Sequence, residues 1–339
     1  ANQEARLVYM NALYSLVLVL ALVAIAVLGA GAAGLQGLFG IAIPYIAVII
    51  FLVGFVRRIV DWGKSPVPFR IPTTCGQQES LSWIKPNKLD CPTTKAGVVG
   101  RMILEVLLFR SLFKNKKFEL KDGPKLAFGS AKWLWLGAMA FHWSFLIIIL
   151  RHMRFFTEPV PGLFGLFETL DGILQVGVPT LFISDIIIVL AATYLFLRRV
   201  VIPQMRYISL PADYFPLFLI LGISISGIFM RYFLKTDIVR VKELTMGLVT
   251  LRPTIPDGIG VIFYVHLFLV SALLVYFPFS KLMHLGGVFL SPTRNLPNDS
   301  RMQRHINPWN PEVKIHTYSE YEDEFRDVMK EAGIPVEKE

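Results

Sequence analysis

Six stretches of the chain are almost unbroken apolar sequence: Leu7 to Leu28, Ile41 to Val60, Trp133 to Phe156, Ile173 to Leu197, Tyr214 to Leu234 and Ile259 to Leu285. Each reaches the roughly 20 residues that a helix needs to cross a bilayer. Backbone in lipid must satisfy its own hydrogen bonds, and long apolar runs do so as helices. The pattern therefore predicts an all-α fold, an integral membrane helical bundle of six transmembrane helices. It divides into a first helix and short outer loop (1–40), a five-helix domain (41–285) that includes a polar loop (61–131), and a C-terminal tail (286–339).

Composition supports a bilayer as the solvent. Of 339 residues, 54% are hydrophobic and 17% charged, with a mean hydropathy of +0.55. Soluble domains hold about 25% charged residues. Arg6 before the first span, with Ala30, Gly31 and Ala32 after it, is a pattern like that of a signal peptide. The apolar run is long for one, so the segment reads as a helix.

Charge sets orientation. Arg57 to Lys132 holds 15 of the 34 Lys and Arg residues. Arg6, Arg198, Arg199, Arg206 and the basic residues from Lys281 onward lie on the same side. The opposite side has seven: Arg151, Arg154, Arg231, Lys235, Arg240, Lys242 and Arg252. Basic flanks stay in the cytoplasm, so both termini are expected there and the chain is expected in the cell membrane. The net charge of +9 sits beside apolar spans, where anionic lipid accounts for it and nucleic acid is not implied.

Within the polar loop, Asp61 to Thr94 reads as irregular and Gly97 to Phe118 as a charged helix lying in the interface. The tail reads as extended and Pro-rich from Ser291 to Pro311. It ends in an acidic helix, Tyr318 to Glu331, fit to grip a partner. Cys75 and Cys91 are too few for an iron–sulfur cluster held by four thiolates. Gly29, Gly31 and Gly34 form GxGxxG, but after a membrane helix this is no dinucleotide signature.

Four of the six histidines lie in apolar segments: His142 and His152 in the third, His266 and His284 in the sixth. Ionisable residues inside a membrane are functional by default. The third and sixth spans are antiparallel, so His142 and His284 fall toward the cytoplasm and His152 and His266 toward the outside. Each level receives one His from each span, as two stacked haems with bis-histidine ligation require. The spacings disagree, since 10 residues rise about 15 Å and 18 rise about 27 Å. Haem tilt or a kink at Pro278 is the expected remedy. A zinc or copper site would gather its ligands at one depth, and a proton relay would recruit more carboxylates than Asp185. His305 and His316, in the tail, lack a second ligand at metal spacing.

Haem propionates call for cations, and Arg151, Arg154 and Arg231 are candidates at the outer level. Quinol oxidation would need a proton acceptor, for which Glu158, Glu168, Asp171 and the deeper Asp185 are candidates. A transporter would show an internal repeat, which is missing. A pure membrane anchor would need no His pairs.

The His spacing, with pairs 10 and 18 residues apart, resembles the membrane cytochrome b (gamma) subunit of respiratory nitrate reductases over spans two to six. That likeness implies a quinol-oxidising subunit in which His142 pairs with His284 at one haem b and His152 with His266 at a second. A narrower resemblance rests on Pro68 to Leu81 (PFRIPTTCGQQESL), Gly97 to Phe113 (GVVGRMILEVLLFRSLF) and His284 to Met302 (HLGGVFLSPTRNLPNDSRM). These are similar to DsrM-type subunits, the membrane cytochromes of DsrMKJOP complexes in dissimilatory sulfur metabolism. It implies menaquinone as lipid substrate and a cytoplasmic DsrK-like iron–sulfur subunit as partner. It further implies companion subunits that include a multihaem cytochrome c, and onward exchange with a sulfur carrier.

Overall fold

The computed structural model describes residues 2–65, 83, 87–121, 125–175, 179–299 and 314–338. Cys75, His305, the stretch Pro68 to Leu81 and the end of the Pro-rich segment lie outside the described residues.

Five helical segments are long and apolar enough to cross a membrane: Tyr9–Ala32, Leu38–Lys64, Lys132–Phe155, Pro211–Phe233 and Val261–Phe279. They are built on α1 (Asn2–Ala26), α2 (Ile43–Lys64), α5 (Lys132–His152), α9 (Pro211–Ile228) and α11 (Val261–Tyr276), several extended by a wider or tighter turn. Their outward faces are apolar, with Leu28 and Val53 each 63% exposed. A water-soluble protein hides such surface, so the chain is a multi-pass membrane protein.

The fourth expected span differs. From Gly172 the chain forms a short antiparallel pair, β3 (Gly172–Leu174) with β4 (Leu181–Phe182), and α7 begins only at Ile183 and runs to Val201. Pro179 accounts for the late start: it has no N–H to donate and fixes its own φ. α7 is 19 residues long, with Asp185 in its first turn and Arg198 and Arg199 in its last.

The sixth stretch also ends early. A tight turn, Phe277–Phe279, closes α11 around the buried Pro278, and Ser280 is extended at φ −119°, ψ 177°. A 3-10 turn follows (Lys281–Met283) and then α12 (His284–Gly287) and α13 (Pro292–Asn295). His284 is therefore not on the helix that carries His266, contrary to the single sixth span expected to hold both.

Between α2 and α5 lie α3 (Lys95–Leu108), α4 (Arg110–Lys114) and a hairpin of β1 (Lys116–Lys121) with β2 (Lys125–Ser130), Lys116 opposite Ser130. The interfacial helix read as continuous to Phe118 thus breaks at Phe109. The two small sheets are additions to the all-α expectation. Outer connections carry α6 (Gly162–Asp171) and α10 (Ile238–Val249), α8 (Pro203–Ile208) joins α7 to α9, and α14 (Tyr318–Glu331) coincides with the acidic helix read from the tail.

α5 packs on α7, α7 on α9, α9 on α1 and α11, and α11 on α2. Small residues let the backbones approach, as Ala26, Ala47, Ala191 and Ala192 do where they are buried. At Gly137 an added Cβ would stand 2.5 Å from the Tyr194 ring, so the α5–α7 contact requires glycine there. The core gathers Leu219, Leu244, Tyr264 and Leu269 at no more than 2% exposure. α5 and α11, which carry three of the four membrane histidines, are not among the closely packed helix pairs.

Candidate functional site

Below, the inner end is where α5 starts and α11 stops, and the outer end is the opposite one. The His152 and His266 rings stand 6.4 Å apart between centroids, with their planes 11° apart, toward the outer end. The His142 and His284 rings stand 5.9 Å apart at 85°, toward the inner end. Two imidazoles that ligate one iron from opposite sides, with bonds of about 2 Å, place their centroids about 6 Å apart. Both intervals fit, and both pairs join the segments that the sequence paired.

The break after α11 reconciles the spacings. An unbroken helix would carry His284 about 27 Å from His266. The extended Ser280 instead breaks the helix, and α12 rests on the inner end of α2, where Gly286 meets Ile59 and Gly287 meets Trp62.

All four rings have Nδ1 committed. His142 Nδ1 donates to the Ala138 carbonyl at 2.8 Å, His152 Nδ1 to that of Ile148 at 2.7 Å and His284 Nδ1 to that of Lys281 at 2.8 Å. A carbonyl only accepts, so Nδ1 holds the proton and Nε2 keeps its lone pair. His266 Nδ1 lies 3.0 Å from the Ser226 hydroxyl, which donates its own proton to the Ile223 carbonyl at 2.9 Å. Ser226 therefore accepts from His266, and the same tautomer results. Metal-ligating histidines are oriented in this way, with the second nitrogen held by a carbonyl or another acceptor. Among the described residues no cluster of three or more His, Cys, Asp or Glu could hold a bare metal ion. An iron whose other ligands come from a macrocycle needs only two.

The outer end carries a buried polar cluster. Arg151, 8% exposed, pairs with Asp171 at 3.1 Å and Asp185 at 2.5 Å and donates to Ser184 Oγ. Ser184 donates to Asp171 through its amide and its hydroxyl. The Tyr232 hydroxyl donates to Asp185 at 2.9 Å and accepts the Phe182 N–H. Arg151 and Arg231 stand over the Phe182 ring at 3.7 and 4.0 Å, and Arg231 donates to the Thr180 carbonyl. Arg154 pairs with Glu168, and Lys242 with Glu158. The three arginines read as propionate partners thus already hold protein acceptors, and each candidate acid has a cation or a hydroxyl beside it. Tyr232, Ser184 and Ser226 belong to this machinery, and nothing in their own sequence neighbourhood marks them.

At the inner end Lys281 binds Asp213 of α9 at 2.8 Å, which anchors the carbonyl that holds His284. The Phe109 ring meets His142 edge-on, centroids 4.9 Å apart. A groove of about 720 Å³ opens between α1, α2, α9 and α11, lined by apolar residues such as Leu22, Ile46, Phe215 and Ala272, with no Asp, Glu, Lys, Arg or His. Cys91 is buried and His316 is exposed in the tail.

Residues 105–303 match the nitrate reductase gamma subunit family. An Hdr-like menaquinol oxidoreductase cytochrome b-like subunit from Archaeoglobus fulgidus is 47% identical over 281 residues, covering 81% of this chain and 84% of that protein. Its counterpart from Archaeoglobus profundus is 41% identical over 281 residues, covering 81% and 83%.

Proposed function

The chain belongs to the nitrate reductase gamma subunit family, and on that premise we propose that it is a membrane di-haem b cytochrome. In this reading it carries electrons between menaquinol and a cytoplasmic iron–sulfur partner. The observation that carries it is the pair of His–His intervals, 6.4 and 5.9 Å, with every Nδ1 held by an acceptor.

His152 with His266, and His142 with His284, would each hold one haem b. When bound, the group would supply one-electron chemistry. The chain's own residues do the rest. Ala138, Ile148, Lys281 and Ser226 fix the ring tautomers. α5 and α11 are not closely packed against one another, which suits a flat ligand held between them.

Menaquinol meets the outer end, where its protons are taken up by the acid cluster around Arg151. Asp185 accepts the Tyr232 hydrogen bond there, and Glu158 and Glu168 lie nearer the surface. The apolar groove beside α1 suits a prenyl chain. α7, fourth in chain order, brings the spans to six, both termini are cytoplasmic, and the membrane is the cell membrane, in keeping with the Lys and Arg distribution.

The names of the archaeal relatives favour a menaquinol oxidoreductase complex with further subunits. The DsrM-like stretches favour one in dissimilatory sulfur metabolism, with a DsrK-like subunit and a multihaem cytochrome c. The family match itself favours a second reading, a quinol-oxidising subunit of nitrate reductase type; identification of the co-purifying cytoplasmic subunit separates the two.

The test is a reduced-minus-oxidised spectrum of the detergent-purified chain with haem counted per chain. Two low-spin b haems are expected, and His152→Ala or His142→Ala should each remove one. A folded chain that takes up no haem would leave the non-redox anchor standing instead.

A further inference from the structure

His142 and His284 lie on separate segments, and one short helix is joined to both segments. α3 ends at Phe109, which has φ 48° and ψ 47°, a left-handed conformation uncommon for a bulky residue. Strain of that kind persists only where its surroundings hold it. Here two indoles do so. Trp135 Nε1 donates to the Leu108 carbonyl at 2.7 Å and Trp143 Nε1 to that of Leu107 at 3.1 Å. Both indoles come from α5, and Trp143 is the neighbour of His142. The last carbonyls of α3 are thereby pinned to the helix that carries the histidine, and the Phe109 ring is turned edge-on to it at 82°.

The other side of α3 holds the segment beyond His284. Arg101, 7% exposed, donates to the carbonyls of Arg294 and Leu296 in that segment and to the carbonyl of Asp90. Glu105 binds the Arg294 side chain at 3.2 Å, and Asn298 N donates to the Pro92 carbonyl just before α3 at 2.7 Å. One helix thus grips α5 through Phe109 and the His284 segment through Arg101.

We propose that α3 positions the inner pair, with Phe109 as the positioning residue for His142 and Arg101 as that for the His284 segment. The inference rests on the proposed function in taking the pair as a redox site. Among the described residues the outer pair shows no brace of this kind: His152 Nδ1 is held by Ile148 of α5 and His266 Nδ1 by Ser226 of α9.

Redox titration of the purified chain tests this after the wild-type protein has shown two centres. Phe109→Gly accommodates the left-handed backbone and removes only the ring. It should shift the potential of the His142/His284 centre and leave the other unmoved, and Phe109→Tyr should restore it. Arg101→Lys should move the same centre, while Ser226→Ala should move only the outer one. A Phe109→Gly chain with both potentials unchanged, or both displaced alike, overturns the inference. A wild-type chain with no haem defeats the functional proposal instead, so the two failures are distinct.

Discussion

Ser226 stands between two groups of different need, donating to the Ile223 carbonyl at 2.9 Å and accepting from His266 Nδ1 at 3.0 Å. His266 is the one membrane histidine whose Nδ1 has a side chain, the Ser226 hydroxyl, among its partners beside a carbonyl, that of Ile223, so its setting is open to mutation. Ser226→Ala should weaken haem retention at the outer pair by roughly 10–100-fold while the inner pair keeps its group. Haem counted per chain during titration with a competing apoprotein checks this; equal retention at both sites refutes it.

Arg151 neutralises two buried carboxylates. Its removal leaves Asp171 and Asp185 without their cation, which costs on the order of 3–5 kcal/mol for a buried pair. Arg151→Ala should lower the midpoint of thermal unfolding in detergent far more than Arg154→Ala, because the Arg154–Glu168 pair is at the surface, where such pairs contribute at most about 1 kcal/mol. Similar losses for both variants would count against a buried role for Arg151.

Much of this site is legible in the sequence. The antiparallel relation of the third and sixth apolar stretches puts the histidines at two levels, and the structure pairs them that way. For His142 and His152 even the Nδ1 acceptor follows from helix geometry, because the carbonyl four residues back lies within reach. Other features depend on distant segments. The break at Ser280 follows Pro278, which reads as a kink and not as a change of direction. Ser226 lies 40 residues from His266 and reaches it only through the α9–α11 contact. Phe109 interrupts a helix in the middle of an apolar run, where no Gly or Pro marks the end; two tryptophans from α5 make the break. Likewise Asp185 stands out as an intramembrane acid, but its partners Arg151 and Tyr232 come from two other helices.

Acid should loosen the inner module before the bundle. Burial alone would raise the Asp90 carboxyl, but hydrogen bonds from Lys114, Arg110 and Asn87 outweigh it and hold the pKa below the usual value. A depressed folded pKa contributes stability that is present above the unfolded value, about 3.9. It is lost as pH falls through the folded value. Hydrogen exchange across residues 87–114 should stay slow from neutral pH down to about 4 and quicken only below it. Asp90→Asn should abolish that acid limb, and an unchanged profile would contradict it.

The tail helix carries its own clasp. The buried Glu322 accepts the amides of Glu337 and Lys338 at 2.7 and 2.8 Å, and Thr317 with Glu320 forms a capping box. Glu322→Ala should raise exchange over 318–338 and leave the membrane helices and both His pairs as they were. Slow exchange retained in that variant would mean that α14 is held by something other than Glu322.

The chain break at Ser280 also orders biogenesis. Once α11 has entered the bilayer, every residue that sets the outer pair has been synthesised and inserted. His284 follows, and its brace is complete only when residues 294–298 leave the ribosome and find Arg101 and Pro92, made some 200 residues earlier. A nascent chain can thus mature from the outer end of the bundle inward, with the inner pair closed by a segment that follows the last membrane helix.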